Sequence, residues 1–161
     1  MNATNSSEIL RNSSLTGDLS EAQCDDLIAI STTRHLQDRE VLIEHGQVDE
    51  TLHIVSSGTL AVERATSGGD TITLHILKPG DLAGEMGFVD GTGHTATLRA
   101  IGPASVINIT RKDLELLLSS KPDVVYGLMR GIIRTAHRIQ REMNLQSIEL
   151  NNYITKVHGR Y

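Results

Sequence analysis

The hydrophobic pattern of the chain changes period twice. In LSEAQCDDLIAI, residues 19–30, the apolar positions Leu19, Cys24, Leu27 and Ile28 share one helical stripe, and Ser20 with Gln23 has the spacing of a capping box. The polar stretch MNATNSSEILRNSS before it, rich in Asn and Ser, is expected to be a weakly ordered tail, with residues 1–18 outside the folded unit. From about residue 40 the period shortens. EVLIEHG, TLHIVSSGTLAVERA, DTITLHILKPGD, HTATLRAI and ASVINIT are short, β-branched runs. Turn formers divide them: Gly46, Gly58, Gly68-Gly69, Pro79-Gly80, Gly91-Thr92-Gly93 and Gly102-Pro103. Alternation is clear in Ile72, Leu74 and Ile76, and again in Ile107 and Ile109. Evenly spaced short strands predict a barrel or roll.

The last third returns to helical spacing. Leu114, Leu117 and Leu118 mark a short amphipathic piece, and Pro122 fits the first turn of a new helix. Apolar positions then recur in steps of four and three: Val125, Met129, Ile132, Ala136, Ile139 and Met143, followed by Gln146, Leu150 and Tyr153. A helix of about 30 residues is roughly 45 Å long, more than a small roll covers. The stripe therefore predicts a homodimer through residues 125–153. The domain division expected is a flexible tail over 1–18, a helix plus roll over 19–121, and a long helix with its tail over 122–161.

Composition narrows the classes. The chain has 161 residues, 39% hydrophobic and 22% charged, which suits one globular unit. No apolar run approaches the roughly 18 residues of a membrane span, and the N-terminus lacks a secretory h-region, so the expected compartment is cytoplasmic. The single Cys24 excludes an internal disulfide. Net charge is −5, unevenly spread: residues 1–110 carry 6 basic and 15 acidic groups, residues 111–161 carry 9 and 5. Arg130, Arg134, Arg138 and Arg141 run along one side of the long helix, read either as a solvated face or as a docking surface for an acidic protein partner. With one Phe, three Tyr and no Trp there is no platform for stacking bases, so DNA is disfavoured as a partner.

Catalytic and metal chemistry find little support. His45, His53 and His75 are scattered with no His-x-His pair, no G-x-S-x-G is present, and GTGHTA lacks the lysine of a phosphate-binding P-loop. The reading is of a non-enzyme without a metal or firm cofactor.

One segment carries specific chemistry: GDLAGEMGFVDGTGHTAT, residues 80–97. The order helix, short-strand roll, Gly-Glu segment and long helix resembles the cyclic nucleotide-binding domain family. LHIVSSGTLAVE is similar to its strand–Gly–strand hairpin around Gly58, LKPGDLAGEMG to the entry of its phosphate-binding cassette, and TATLRA to the strand leaving the cassette. The resemblance covers about residues 19–145. It implies an eight-stranded β-roll (a jelly roll or double-stranded β-helix) flanked by helices, with a long C-terminal helix and cyclic AMP or cyclic GMP as ligand.

The implied site is Gly84, Glu85, Met86, Gly87, His94, Thr95 and Ala96, with Gln140 of the long helix near the base. Gly84 would allow close backbone approach, and free N–H groups of the turn beginning at Glu85 would meet phosphate oxygens. The resemblance gives Glu85 the ribose 2′-hydroxyl and Thr95 a further donor. Each position also has a plainer reading: glycines as turn formers, Glu85 as a solvated acid, and His94 and Gln140 as exposed side chains.

One departure stands out. At His94, just before Thr95 and Ala96, the family carries an arginine that pairs with the phosphate. No basic side chain lies between Glu85 and His94, and Arg99 matches an ordinary strand position. Three readings follow. His94 is protonated when ligand binds, so affinity rises as pH falls through the imidazole range; the ligand differs; or the pocket is empty and the roll is a dimeric interaction scaffold. After residue 146 the sequence is too short for a three-helix DNA-binding domain, which points to a sensor that relays through its long helix.

Overall fold

A computed structural model describes residues 3–158 as one sheet wrapped by helices. The elements in order are α1 (Ala3–Asn12), α2 (Glu21–Ile30), β1 (Thr32–Leu36), β2 (Val41–Ile43), β3 (Thr51–Ala65) and β4 (Thr71–Leu77). After them come β5 (Leu82–Ala83), α3 (Glu85–Asp90), β6 (Thr97–Thr110), α4 (Arg111–Leu117) and α5 (Pro122–His158). The sheet runs β1-β6-β3-β4, with β2 paired to β6 and β5 to β3, all antiparallel.

The mainly-β architecture with a long C-terminal helix matches the expectation, but the strands number six, not eight. The difference lies at two turn formers. Gly58 (φ +70°) and Gly102-Pro103 are bends inside the continuous strands β3 and β6, not strand breaks. The β3–β6 register shifts between Val55 and Ser57 and again between Ser57 and Thr59. There a Cβ on Gly58 would collide with the Pro103 carbonyl. A bulge of this kind turns a sheet corner without ending the pairing.

Two apolar cores follow from alternation along β3 and β6. Leu52 and Ile54 with Ile107 and Ile109 face the helices, packing on Leu10, Leu15, Leu27, Leu114, Val124, Val125, Leu128 and Ile132. Val55, Leu60, Val106 and Ala104 face the roll interior with Leu36, Ile43, Leu77, Ala83 and Leu98. Residues 52–56 are buried on both faces, which is why this stretch reads as a continuous apolar run. At the free end of the sheet, β4 pairs only with β3. The register shift between Val62 and Glu63 leaves Leu74 without a paired residue, and residues 71–75, the alternating Ile72 and Leu74 among them, are exposed.

The N-terminal segment differs from the tail expected over 1–18. Residues 3–12 are helical, and Leu10 and Leu15 are buried in the helix-facing core. A Cβ on Gly131 of α5 would collide with the Leu15 carbonyl, and one on Gly127 with the tip of Leu19. Asp18 closes this contact through ion pairs with Arg130 (3.4 Å) and Arg134. The α2 start forms as its sequence predicts: the Ser20 side chain accepts from Gln23 N–H (3.3 Å) and the Gln23 side chain accepts from Ser20 N–H (2.9 Å).

α5 has 37 residues, about 55 Å. Its heptad stripe is divided between two tasks. Val125 and Ile132 lie in the chain's own core, with Met129 packed against it. Ile139 and Tyr153 are 37% and 69% exposed. The side chains of Met143, Gln146 and Leu150 lie outside the described residues. No helix among the described residues is long and apolar enough to cross a membrane.

Candidate functional site

α3 is the short helix between β5 and the loop to β6. Its N-cap, Gly84, has φ +81°, a left-handed backbone that disfavours any residue with a Cβ. The first intrahelical bond is Phe88 N–H to Gly84 O, 2.9 Å, so the N–H groups of Glu85, Met86 and Gly87 precede the hydrogen-bonded ladder. Phe88 is buried in the core shared with α4 and α5, which ties the helix down. Met86 and Val89 point outward and are exposed, while Glu85 is half-buried. Among the described residues the Glu85 carboxylate has no hydrogen bond or ion pair.

Beneath α3 the packing is tight. A Cβ on Gly84 would stand 2.7 Å from Thr51 O and 3.2 Å from His53 Cδ2; one on Gly87 would stand 2.7 Å from Asp49 O. The glycines let the helix lie directly on the start of β3, so their smallness serves the chain's own packing. The imidazole of His94 fills the remaining gap: its Cε1 is 3.5 Å from the Gly84 Cβ position and its Nε2 3.1 Å from that of Gly87. Backbone bonds hold it there, His94 N–H to Gln47 O (2.9 Å) and Gly46 N–H to His94 O (2.7 Å). Among the described residues, His94 Nε2 is the buried side-chain polar atom that has no hydrogen-bond partner. Leaving such an atom unpaired costs about 1–3 kcal/mol.

His94 thus lies behind the first turn of α3, not out on the exposed loop. Thr95 is exposed beside it and Ala96 half-buried. Gln140 is exposed on α5, whose main packing partners are α2 and α4, and among the described residues it has no hydrogen bond to the cassette. The structure therefore brings Gly84, Glu85, Gly87 and His94 together and leaves Gln140 apart from that contact network. Two nearby arginines are engaged elsewhere. Arg99 pairs with Glu63 (3.0 Å) and donates to Arg39 O on the outer face. Arg111 pairs with Glu50 (2.8 Å) and caps Val89 O at the far end of α3.

A buried polar network escaped the sequence reading. His53, 3% exposed, faces Asn108 Oδ1 with Nδ1 (2.8 Å) and Asp49 Oδ2 with Nε2 (3.2 Å). The hydrogen bond from His53, helped by Thr51, holds the Asp49 carboxyl down at about 2 despite burial, which acts in the opposite direction. The signal in sequence was slight: a histidine inside the apolar run of TLHIV, opposite an asparagine in INIT. Only the register, His53 beside Asn108 on β6, joins them.

A family model described as the cyclic nucleotide-binding domain matches residues 33–121, more than half of the chain. The chain belongs to this family. The cyclic AMP receptor protein of Thermus thermophilus is 30% identical over 104 residues, covering 65% of this chain and 48% of that protein. The chain spans about half the length of the curated relatives it matches. Among solved structures, the N-terminal domain of a transcriptional regulator from Streptomyces coelicolor superposes with a TM-score of 0.74 at 25% identity, covering 84% of this chain and 94% of that one. A cyclic nucleotide-binding domain from Methylobacillus flagellatus gives a TM-score of 0.77 at 21% identity, covering 87% and 79%, which supports the shared fold.

Proposed function

We propose that this domain is a regulatory module that binds a cyclic nucleotide, cyclic AMP or cyclic GMP, at the α3 cassette and relays occupancy to α5. The observation that carries the reading is the pairing of open amides with an unpartnered imidazole. The Glu85, Met86 and Gly87 N–H groups precede the helical ladder, and His94 Nε2 is orphaned behind the same turn, 3.1 Å from where a Gly87 Cβ would stand. A phosphate oxygen suits both, as a ligand for amides and as an acceptor for a ring N–H. Glu85, half-buried and unpaired among the described residues, is available to a ribose hydroxyl. Thr95 is a further donor at the rim.

The relay has a physical route. Phe88 of α3 belongs to the same core as Leu114 of α4 and Val125, Leu128 and Ile132 of α5. Movement of α3 on ligand entry changes what these side chains pack against. Ligand shifts the helix only so far as it binds one arrangement better than the other. The domain dimerises through α5 from Ile139 onward, since the stripe before it is taken up by the chain's own core. It works as a binding module without catalysis, in the cytoplasm.

A second reading, a ligand-free dimeric interaction module, draws on one observation: the cassette loop has no cation of its own, and Arg99 and Arg111 are both committed to carboxylates. Thermal denaturation with millimolar cyclic AMP or cyclic GMP separates the two. Bound ligand raises the midpoint, and Glu85→Gln removes the rise. An unchanged midpoint with both nucleotides favours the ligand-free module.

A further inference from the structure

The outward face of α5 carries a groove that the nucleotide reading does not use. Tyr126, Arg130, Arg134 and Arg138 form one ridge at steps of four, and Ile133, His137 and Arg141 form the next. Between them lies an open groove of about 500 Å³ lined by Arg130, Ile133, Arg134, His137, Arg138 and Arg141. Ile133, 53% exposed, is its apolar lining residue, and on the same ridge as Arg130 the ring of Tyr126, 67% exposed, lies under the Arg130 guanidinium at 5.8 Å. Asp18 neutralises part of one edge through Arg130 and Arg134. Among the described residues, Arg138 and Arg141 have no carboxylate partner. The face lies on the opposite side of α5 from Val125, Ile132 and Ile139, the stripe that packs on the core and then overhangs it.

We propose that this groove docks an acidic amphipathic helix of a partner protein. Grooves between i,i+4 ridges are what a second helix packs into. Exposed Tyr126 and Ile133 offer the apolar contact, and Arg138 and Arg141 call for carboxylates one turn apart on the incoming helix. A second copy of this face is the wrong shape of charge, because a two-fold axis would set the same arginines and His137 against each other. A nucleic acid needs a wider basic surface and base-stacking side chains, whereas the remainder of this chain is acidic, with 6 basic and 15 acidic groups in residues 1–110. The inference is independent of ligand binding at α3.

Fluorescence anisotropy with the full chain tests it. The probe is a labelled helical peptide of about five turns, with Leu along one ridge and Glu at i,i+4 flanks; its twin has Lys in place of Glu. The expected result is saturable binding of the Glu peptide alone, weakened by added salt. Ile133→Ser, through lost apolar contact, and the pair Arg138→Glu with Arg141→Glu, through lost charge pairs, each lower affinity by about tenfold or more, while Arg64→Glu on β3 leaves it unchanged. Equal binding of the Lys peptide, no binding of either, or full affinity in the double variant overturns the proposal. So does loss of dimer mass in the double variant, which assigns the face to a second copy. Preferential binding of a DNA duplex lost in that variant assigns it to nucleic acid and overturns it equally.

Discussion

Gly87 and His94 are in such close register that a Cβ on the glycine would lie 3.1 Å from the imidazole Nε2, while the Asp49 carbonyl waits at 2.7 Å on another side. The cassette is therefore packed from behind by its own chain. Gly87→Ala must lift α3 or push the loop away, and overpacking of this kind costs about 1–3 kcal/mol. Urea unfolding should show that loss. Adding His94→Ala relieves the side-chain contact but not the backbone carbonyl, so the double variant recovers only part of it. A Gly87→Ala protein of wild-type stability contradicts the packing.

The Asp49–His53 pair predicts an acid limb. Asp49 is held at about 2, below its ordinary 3.8, chiefly by the hydrogen bond from His53. A depressed carboxyl stabilises the fold above its unfolded value and loses that contribution as pH falls through the folded one. Stability should thus be level above about pH 4 and decline toward about pH 2. After discount for the partly exposed carboxylate, the pair contributes about 1 kcal/mol. Asp49→Asn flattens this segment of the stability-against-pH curve; an equally steep decline in the variant places the titration elsewhere.

The contact between α5 and the 14–19 segment gives an ordered pair of substitutions. Alanine adds about 1 kcal/mol of helix propensity over glycine. At Gly127 the new Cβ meets the flexible end of Leu19, which can turn aside; at Gly131 it meets the Leu15 backbone carbonyl, which cannot. Gly131→Ala should lower Tm clearly, and Gly127→Ala should change it little. Equal effects contradict a strap seated on Gly131.

Dimerisation through the overhanging part of α5 is read by light scattering. Ile139→Glu and Tyr153→Glu place charges on the exposed stripe and should shift a dimer toward monomer without lowering Tm of the folded unit. Unaltered mass with both substitutions excludes this stripe as the interface.

Much of this architecture is written locally in the chain. The α2 cap, the β-branched runs and the Pro122 helix start are short-range signals, and each element forms where its residues ask for it. The strand count was harder, because Gly58 and Gly102-Pro103 look alike as turns and as paired bulges; only the pairing of β3 with β6 tells them apart. The α1 helix was hidden in an Asn- and Ser-rich stretch whose order comes from Leu10 and Leu15 reaching the distant core. Gly84 and Glu85 were singled out through the family resemblance of the segment that holds them. The inward turn of His94 was not legible, since it depends on Gly46 and Gln47 holding its backbone. Nor was His53–Asn108, which sequence separates by 55 positions.

The direct test of ligand binding at the cassette is calorimetric titration of the full chain with cyclic AMP and cyclic GMP, for the wild type and His94→Arg. A restored buried charge pair is worth roughly 2–5 kcal/mol, or about thirtyfold to several thousandfold in affinity. The account predicts weak, saturable binding to the wild type and markedly tighter binding to His94→Arg. Absence of binding heat in both proteins at millimolar nucleotide would contradict it.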